Sequence, residues 1–196
     1  SITATPPTAT NTPTPTNTPV PGTGQILYLS LAGNGSVGGV TYSDEDILSF
    51  NTNDNTWAII FDGSDVGLTI NDIDALHLLD DGSFLISLER AQSIGDLGTV
   101  DDAEMIRFVP TSLGDTTSGT FEKYLDGTDV GLAAGGEDLD AFGLAPDGRP
   151  VASTLNNFFA GVSGEGKDLI VLNDPVLGDP TSGTWAIQLD GSDVGL

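Results

Sequence analysis

FDGSDVGL at Phe61–Leu68 returns as LDGTDVGL at Leu125–Leu132 and as LDGSDVGL at Leu189–Leu196, a step of 64 residues each time. A fixed period of that length makes each period one supersecondary unit that buries its apolar face against the next copy. Outward from the phrase, short apolar runs rich in Ile, Leu, Phe and Trp recur in register with it. The run that ends in the phrase is Trp57–Phe61, Phe121–Leu125 and Trp185–Leu189. Before it comes Asp46–Phe50, matched by Glu104–Phe108 and Asp168–Leu172. Earlier still lies Leu27–Leu31, matched by Phe84–Leu88 and Val151–Thr154. The last two of these follow Asp-Gly turns at Asp80–Gly82 and Asp147–Gly148 and are preceded by Asp74–Leu79 and Asp140–Ala145. Short β-rich runs separated by turn residues, with no helical periodicity, predict an all-β chain.

Four antiparallel strands per period is the unit of a β-propeller blade. The prediction is therefore repeated four-stranded antiparallel units, β-propeller-like, about three blades with the first lacking a strand. The period exceeds the roughly 40–50 residues usual for such blades, and the surplus is assigned to loops. One such loop is LGDTTSGT at Leu113–Thr120 and LGDPTSGT at Leu177–Thr184; the first repeat lacks six residues of it, because Phe50 and Trp57 are only 7 positions apart where Phe108 and Phe121 are 13 apart.

Ahead of this domain (residues 25–196) runs a Thr/Pro-rich tract, residues 1–24, without a charged side chain. Frequent proline and little apolar content suit an extended polyproline II arm, about 70 Å long at roughly 3.1 Å per residue. It reads as a spacer, as a stalk carrying O-linked sugars on Thr8, Thr10, Thr12, Thr14, Thr16 and Thr18, or as both.

The chain holds 29 acidic and 5 basic residues, a net charge of −24. Phosphate binding needs clustered Lys and Arg, so nucleic acid is excluded as a partner class, and anionic membrane surfaces are disfavoured. No apolar run is long enough for a membrane span. Self-repulsion on this scale favours bound cations. With no cysteine, disulfides and thiolate metal sites are absent. A start at Ser1 without Met or a signal peptide is expected of a processed product or a fragment.

Fewer than three blades leaves sheet edges open. A longer polypeptide, a ring of several chains, or strands supplied by neighbours along a fibre would complete them. The segment Ser1, Ile2, Thr3, Ala4 and Thr5 is free of proline and half β-branched. It is the candidate strand for donation to an adjacent copy, although it shares little with DALHLL.

The acids recur at set places: Asp62 and Asp65, Asp126 and Asp129, Asp190 and Asp193 in the repeated phrase, then Asp72 with Asp74 and Asp138 with Asp140. One reading is turn chemistry, since Asp-Gly turns repeat their residues and Asp carboxylates accept backbone N–H bonds. The other is Ca²⁺ held by Asp62, Asp65, Asp74, Asp126, Asp129, Asp140, Asp190 and Asp193, because calcium takes six to eight oxygens. Two carboxylates ~4 Å apart repel by about 4 kcal/mol at an effective dielectric near 20, which a cation relieves.

No catalytic residue is assigned. His77 is the sole histidine and reads as a strand residue, and no Gly-x-Ser-x-Gly elbow accompanies it. Paired carboxylates hydrolyse glycosides in some enzymes, yet acids repeated in every period are structural before they are catalytic. Trp57, Phe121 and Trp185 share one repeat position and read as packing residues, with sugar stacking as the alternative. Asn34-Gly35-Ser36 fits both an N-glycosylation sequon and a hairpin turn.

The phrase Phe/Leu-Asp-Gly-Ser/Thr-Asp-Val-Gly-Leu, together with FVPTSLG at Phe108–Gly114 and PDGR at Pro146–Arg149, resembles repeats of uncharacterised secreted bacterial surface proteins that carry Thr/Pro-rich linkers. The resemblance covers Gly24–Leu196 and implies an extracellular location and a β-propeller-like module. The expectation is a secreted, non-enzymatic structural subunit of an extracellular fibre or surface layer, partnered by copies of itself. The second reading is a Ca²⁺-dependent adhesion or carbohydrate-binding module on a stalk; the third is a polysaccharide hydrolase.

Overall fold

The computed structural model describes residues 24–69, 72–132 and 137–196. The Thr/Pro-rich tract, with its candidate sugar sites Thr8 to Thr18 and the candidate strand Ser1 to Thr5, lies outside them except for Gly24. Among the described residues all regular structure longer than one turn is β. The first repeat comprises β1 (Ile26–Leu29), β2 (Gly35–Val37), β3 (Val40–Tyr42), β4 (Ile47–Asn51) and β5 (Thr56–Phe61). The second comprises β6 (Ile73–Leu78), β7 (Phe84–Leu88), β8 (Gln92–Ile94), β9 (Gly98–Val100), β10 (Met105–Ser112) and β11 (Ser118–Leu125). The third comprises β12 (Leu139–Leu144), β13 (Pro150–Thr154), β14 (Phe158–Phe159), β15 (Ser163–Gly164), β16 (Leu169–Val176) and β17 (Ser182–Leu189).

Each of the second and third repeats forms a four-stranded antiparallel meander, β6-β7-β10-β11 and β12-β13-β16-β17, while the first is a three-stranded sheet, β1-β4-β5. In every repeat a two-stranded ribbon (β2-β3, β8-β9 or β14-β15) is inserted between the second and third meander strands. These ribbons absorb much of the long period. The rest goes into strand length rather than loop: β10 and β11 run to Ser112 and from Ser118, leaving a tight connection where sequence reading placed an eight-residue loop.

Pro110 and Pro175 lie inside these long strands, where a missing N–H normally breaks a ladder. The topology accommodates both. β10 pairs with β7 only at Ile106, Arg107 and Phe108, and β16 pairs with β13 only at Ile170 and Val171. Beyond those residues one side of each strand has no ladder to interrupt, so proline sits there at little cost.

The core lies between sheets. One cluster joins the first repeat's Ile47, Phe61 and Leu68 to Ile73, Phe84, Ile86 and Phe108 of the second. Another joins Leu85, Met105, Leu125 and Leu132 of the second repeat to Leu139, Phe142, Ala152 and Trp185 of the third. Phe61, from the first sheet, meets Phe84 and Phe108 of the second with ring centroids 5.2 and 5.0 Å apart. Each repeat thus finishes its neighbour's core, which is the physical meaning of the 64-residue period. The aromatic position behaves as a packing position: Trp57 stacks on Phe50 at 4.7 Å, Phe121 on Phe108 at 4.9 Å, and Trp185 is buried.

The second and third meanders also meet along their first strands, β6 and β12. Ser87 Oγ accepts from Ala75 N–H at 2.9 Å and donates to Leu139 O at 3.0 Å, tying β7 to both β6 and β12. His77, in β6, faces β12 at Gly143, where a Cβ would lie 4.0 Å from its Nδ1, at ordinary contact distance.

Candidate functional site

The repeated Asp-Gly-Ser/Thr-Asp phrase folds as a turn that ends β5, β11 or β17 in a single 3-10 turn. Asp62 Oδ1 accepts Ser64 N–H at 3.1 Å; Asp126 does the same for Thr128 at 3.1 Å and Asp190 for Ser192 at 2.9 Å. The following Leu closes the turn by donating its N–H to the glycine carbonyl: Leu68 to Gly63, Leu132 to Gly127 and Leu196 to Gly191, at 2.8–2.9 Å. Glycine is required at the second position by close approach. A Cβ on Gly63 would lie 2.3 Å from Glu45 O, on Gly127 2.1 Å from Ala103 O, and on Gly191 2.6 Å from Lys167 O.

An acid at the third strand's entrance braces this turn from its own repeat. Asp46 accepts Ser43 N–H at 2.8 Å and Gly63 N–H at 3.1 Å, and Asp168 accepts Glu165 N–H at 2.8 Å and Gly191 N–H at 2.9 Å. The two backbone donors hold Asp168 below the usual carboxylate range. In the second repeat Glu104 takes the place, and Lys123 Nζ bridges it at 2.7 Å to Asp126 at 3.2 Å.

The outer side of the turn is where one repeat grips the next. A β-bulge occurs at the same place in all three repeats, where the register steps from Ile47↔Phe61 to Leu48↔Ile59, from Met105↔Leu125 to Ile106↔Lys123, and from Leu169↔Leu189 to Ile170↔Ile187. The residue passed over is Ile60, Tyr124 or Gln188. Ile60 O then accepts Gly114 N–H from the next repeat at 2.9 Å, and Tyr124 O accepts Gly178 N–H at 2.9 Å. The bulge turns a ladder carbonyl outward to a new partner.

Three residues beyond that glycine, a buried threonine completes the grip. Thr117 Oγ1 accepts Asp62 N–H at 2.9 Å and donates to Gly114 O at 2.9 Å, while Thr117 N–H donates to Asp65 Oδ2 at 2.8 Å. Thr181 repeats the set: its Oγ1 accepts Asp126 N–H at 2.8 Å and donates to Gly178 O, and its N–H donates to Asp129 Oδ2 at 2.8 Å. Gly114 and Gly178 hold φ of +103° and +104°, a conformation open to glycine. The LGDTTSGT and LGDPTSGT segments are thus latches, and the Asp-Gly-Ser/Thr-Asp turn is their receptor. The first repeat, whose corresponding turn is short, carries a receptor and no latch.

The structure accordingly places the eight sequence-selected acids in two settings. Asp65 and Asp129 accept latch N–H groups and Asp62 and Asp126 donate their own N–H to the latch threonine hydroxyls, while Asp190 and Asp193 occupy the matching positions of the third repeat. Asp74 and Asp140 lie on β6 and β12, away from the turns. Among the described residues, one group of three carboxylates comes within 4.8 Å of one another: Asp126, Asp129 and Asp179. Asp179 belongs to the latch. Lys123, paired with Asp126, already lends that acid one positive charge.

A second acidic zone lies at the start of the first strands. Burial, then the charges of Asp74, Asp102, Asp140 and Glu89, pushes Asp138 up to about 7. Burial with the charges of Glu89 and Asp72 pushes Asp74 up to about 6. Between the first two repeats, burial and the side chain of Asp44 raise Glu45 to about 7, and burial with the Asp44 charge also raises Asp72. Among the described residues Asp138 Oδ1 is buried without a hydrogen-bond partner.

No protein-family model, no curated protein and no solved structure matches this chain.

Proposed function

We propose that the chain is a structural module of an extracellular fibre or surface layer, a building part rather than a chemical one, with its meanders arranged like the blades of a propeller. The observation that carries the reading is the open edge of the first sheet. β7 and β13 are covered by β6 and β12, whereas β1 has no outer neighbour among the described residues and leaves Ile26, Leu27 and Tyr28 at 45%, 49% and 42% exposure. An added strand from an adjacent copy fills such an edge through main-chain bonds, and the Ser1–Thr5 segment of the Thr/Pro-rich tract is the strand assigned to it. A heterologous contact of this kind, repeated without closing into a ring, builds filaments. The resemblance to secreted surface proteins with Thr/Pro-rich linkers, and the Thr8–Thr18 hydroxyls available to sugars, favour the same setting. The first-strand bonds through Ser87 support the blade-like arrangement.

Scattering and negative-stain microscopy of the full chain test this, beside a chain lacking residues 1–24. Filaments or large assemblies that vanish on truncation are expected. A monodisperse full-length monomer, or assemblies that survive truncation unchanged, would overturn it.

One observation favours the second reading, a Ca²⁺-dependent adhesion or glycan-binding module: the Asp126, Asp129 and Asp179 oxygens converge at the junction of two repeats. In that reading calcium clamps the latch to its receptor, and Asp62 with Asp65 forms the homologous half-site. An unfolding midpoint that drops on chelation supports it; an unmoved midpoint removes it.

A further inference from the structure

We infer that the outer face of the third repeat is a preformed docking site for the latch hairpin of another repeat of this class, and that the chain's own first repeat is not that occupant. The inference rests on reading the chain as a structural module and adds the partner's chemistry.

The receptor parts are in place on the third repeat. Its turn has the same closing bond, Leu196 N–H to Gly191 O at 2.9 Å, and the same Asp190–Ser192 bond as the two occupied copies. Its bulge falls at Gln188, the counterpart of Ile60 and Tyr124, whose carbonyls take the latch glycine. The Asp190 N–H and the Asp193 carboxylate stand where Asp62 and Asp65, or Asp126 and Asp129, hold a latch threonine. Neither has a partner among the described residues.

The apolar parts are waiting as well. Leu68 and Leu132 are fully buried in the core of the following repeat, but Leu196 is 70% exposed and Val194 59%. Leu189, the counterpart of the fully buried Phe61 and Leu125, is only half-buried. A latch-bearing meander placed against this face would bury all three.

The occupant is defined by its chemistry: a β-hairpin with a left-handed glycine, then an acid, any residue and a threonine whose hydroxyl and N–H both point at the receptor. The chain's two latches are both engaged internally, on the first and second repeats. The first repeat links β4 to β5 through a short turn in which Asn55 N–H donates to Asn51 O, with no glycine or threonine in latch positions. Head-to-tail stacking of identical copies therefore cannot use this grip. The site is directional and calls for a different repeat.

The test extends the full 196-residue chain after Leu196 with a second copy of residues 133–196 and follows amide hydrogen exchange at Asp190. At least tenfold slower exchange at Asp190, approaching that of Asp62 and Asp126, is expected. The slowing should be lost when Thr181→Val is made in the added copy alone, and when Asp193→Ala is made in the third repeat. Exchange at Asp190 that the extension leaves unchanged overturns the inference, as does slowing that survives both substitutions or an added repeat whose own amides stay unprotected. Slowing in the unextended chain as its concentration rises would give the site to a second copy and overturn the choice of occupant. Filament formation by the unextended chain with Asp190 still fast would leave the proposed function standing and count only against a latch supplied by copies.

Discussion

Replacing Thr117 with valine keeps the side chain's shape and removes only the hydroxyl that locks the first repeat to the second. Thr117 is 4% exposed, and its Oγ1 both accepts Asp62 N–H and donates to Gly114 O, each at 2.9 Å. A hydrogen bond contributes about 1 kcal/mol net, so losing two costs about 2 kcal/mol; stranding the Asp62 N–H near a buried methyl raises this to about 3 kcal/mol. In a chain of this size 1 kcal/mol moves the thermal midpoint by about 2–4 °C, so a fall of about 6–12 °C is expected. The backbone bond from Thr117 N–H to Asp65 survives, which keeps the latch near its receptor. Thr117→Ser supplies the control, since it keeps the hydroxyl and loses one methyl, about 0.8 kcal/mol. Urea and thermal unfolding followed by circular dichroism read both variants. A broadened or two-step transition for valine is also expected, because nearest-neighbour coupling is what makes repeats unfold together. A valine variant within 1 kcal/mol of the parent, or a serine variant as damaged as valine, would refute the reasoning.

Three other outcomes follow from the same geometry. Leu132→Ala, which empties a fully buried site, should cost about 2–5 kcal/mol, whereas Leu196→Ala at the exposed counterpart should stay within about 0.5 kcal/mol; equal effects in urea melts would contradict the directional array. Gly127→Ala should destabilise by about 1–3 kcal/mol, because its Cβ meets Ala103 O at 2.1 Å while its φ of −64° adds no strain of its own. Stability should fall as pH rises from 5 to 8, since Glu45, Asp74 and Asp138 have native pKa values raised to about 6–7 above ordinary carboxylates. Acids raised in this direction favour the fold fully below the unfolded pKa near about 4, and that contribution is lost through pH 6–7. Asp138→Asn should flatten the slope in chelator, and a midpoint that climbs between pH 5 and 8 would show the sign to be wrong.

The meander strands were legible because each holds a short apolar run bounded by turn residues; observed boundaries fall within one or two residues of the predicted ones wherever the strand is short. The ribbons were not legible, since Gly35-Ser36-Val37 and Ser163-Gly164 are too short and too glycine-rich to show period-two alternation. The true ends of β10 and β16 were hidden by Pro110 and Pro175, which argue against a strand until the one-sided pairing is known. The repeated acids were found by recurrence, and the turn bonds of Asp62, Asp126 and Asp190 follow the expected Asx chemistry. Their outward role was hidden, because Thr117 and Thr181 act on aspartates 55 residues earlier. The recurrent TSGT and its absence from the first repeat were the available signals; only the fold says what they touch. Asp138 was found among the recurring acids but not singled out from them, since burial without a partner has no trace in sequence.

Amide exchange at Asp62, Asp126 and Asp190 in the unmodified, dilute chain tests the central claim of a directional array held by latches. The first two amides are bound to Thr117 and Thr181 and should exchange slowly, at least tenfold slower than Asp190. Three equal rates would contradict it.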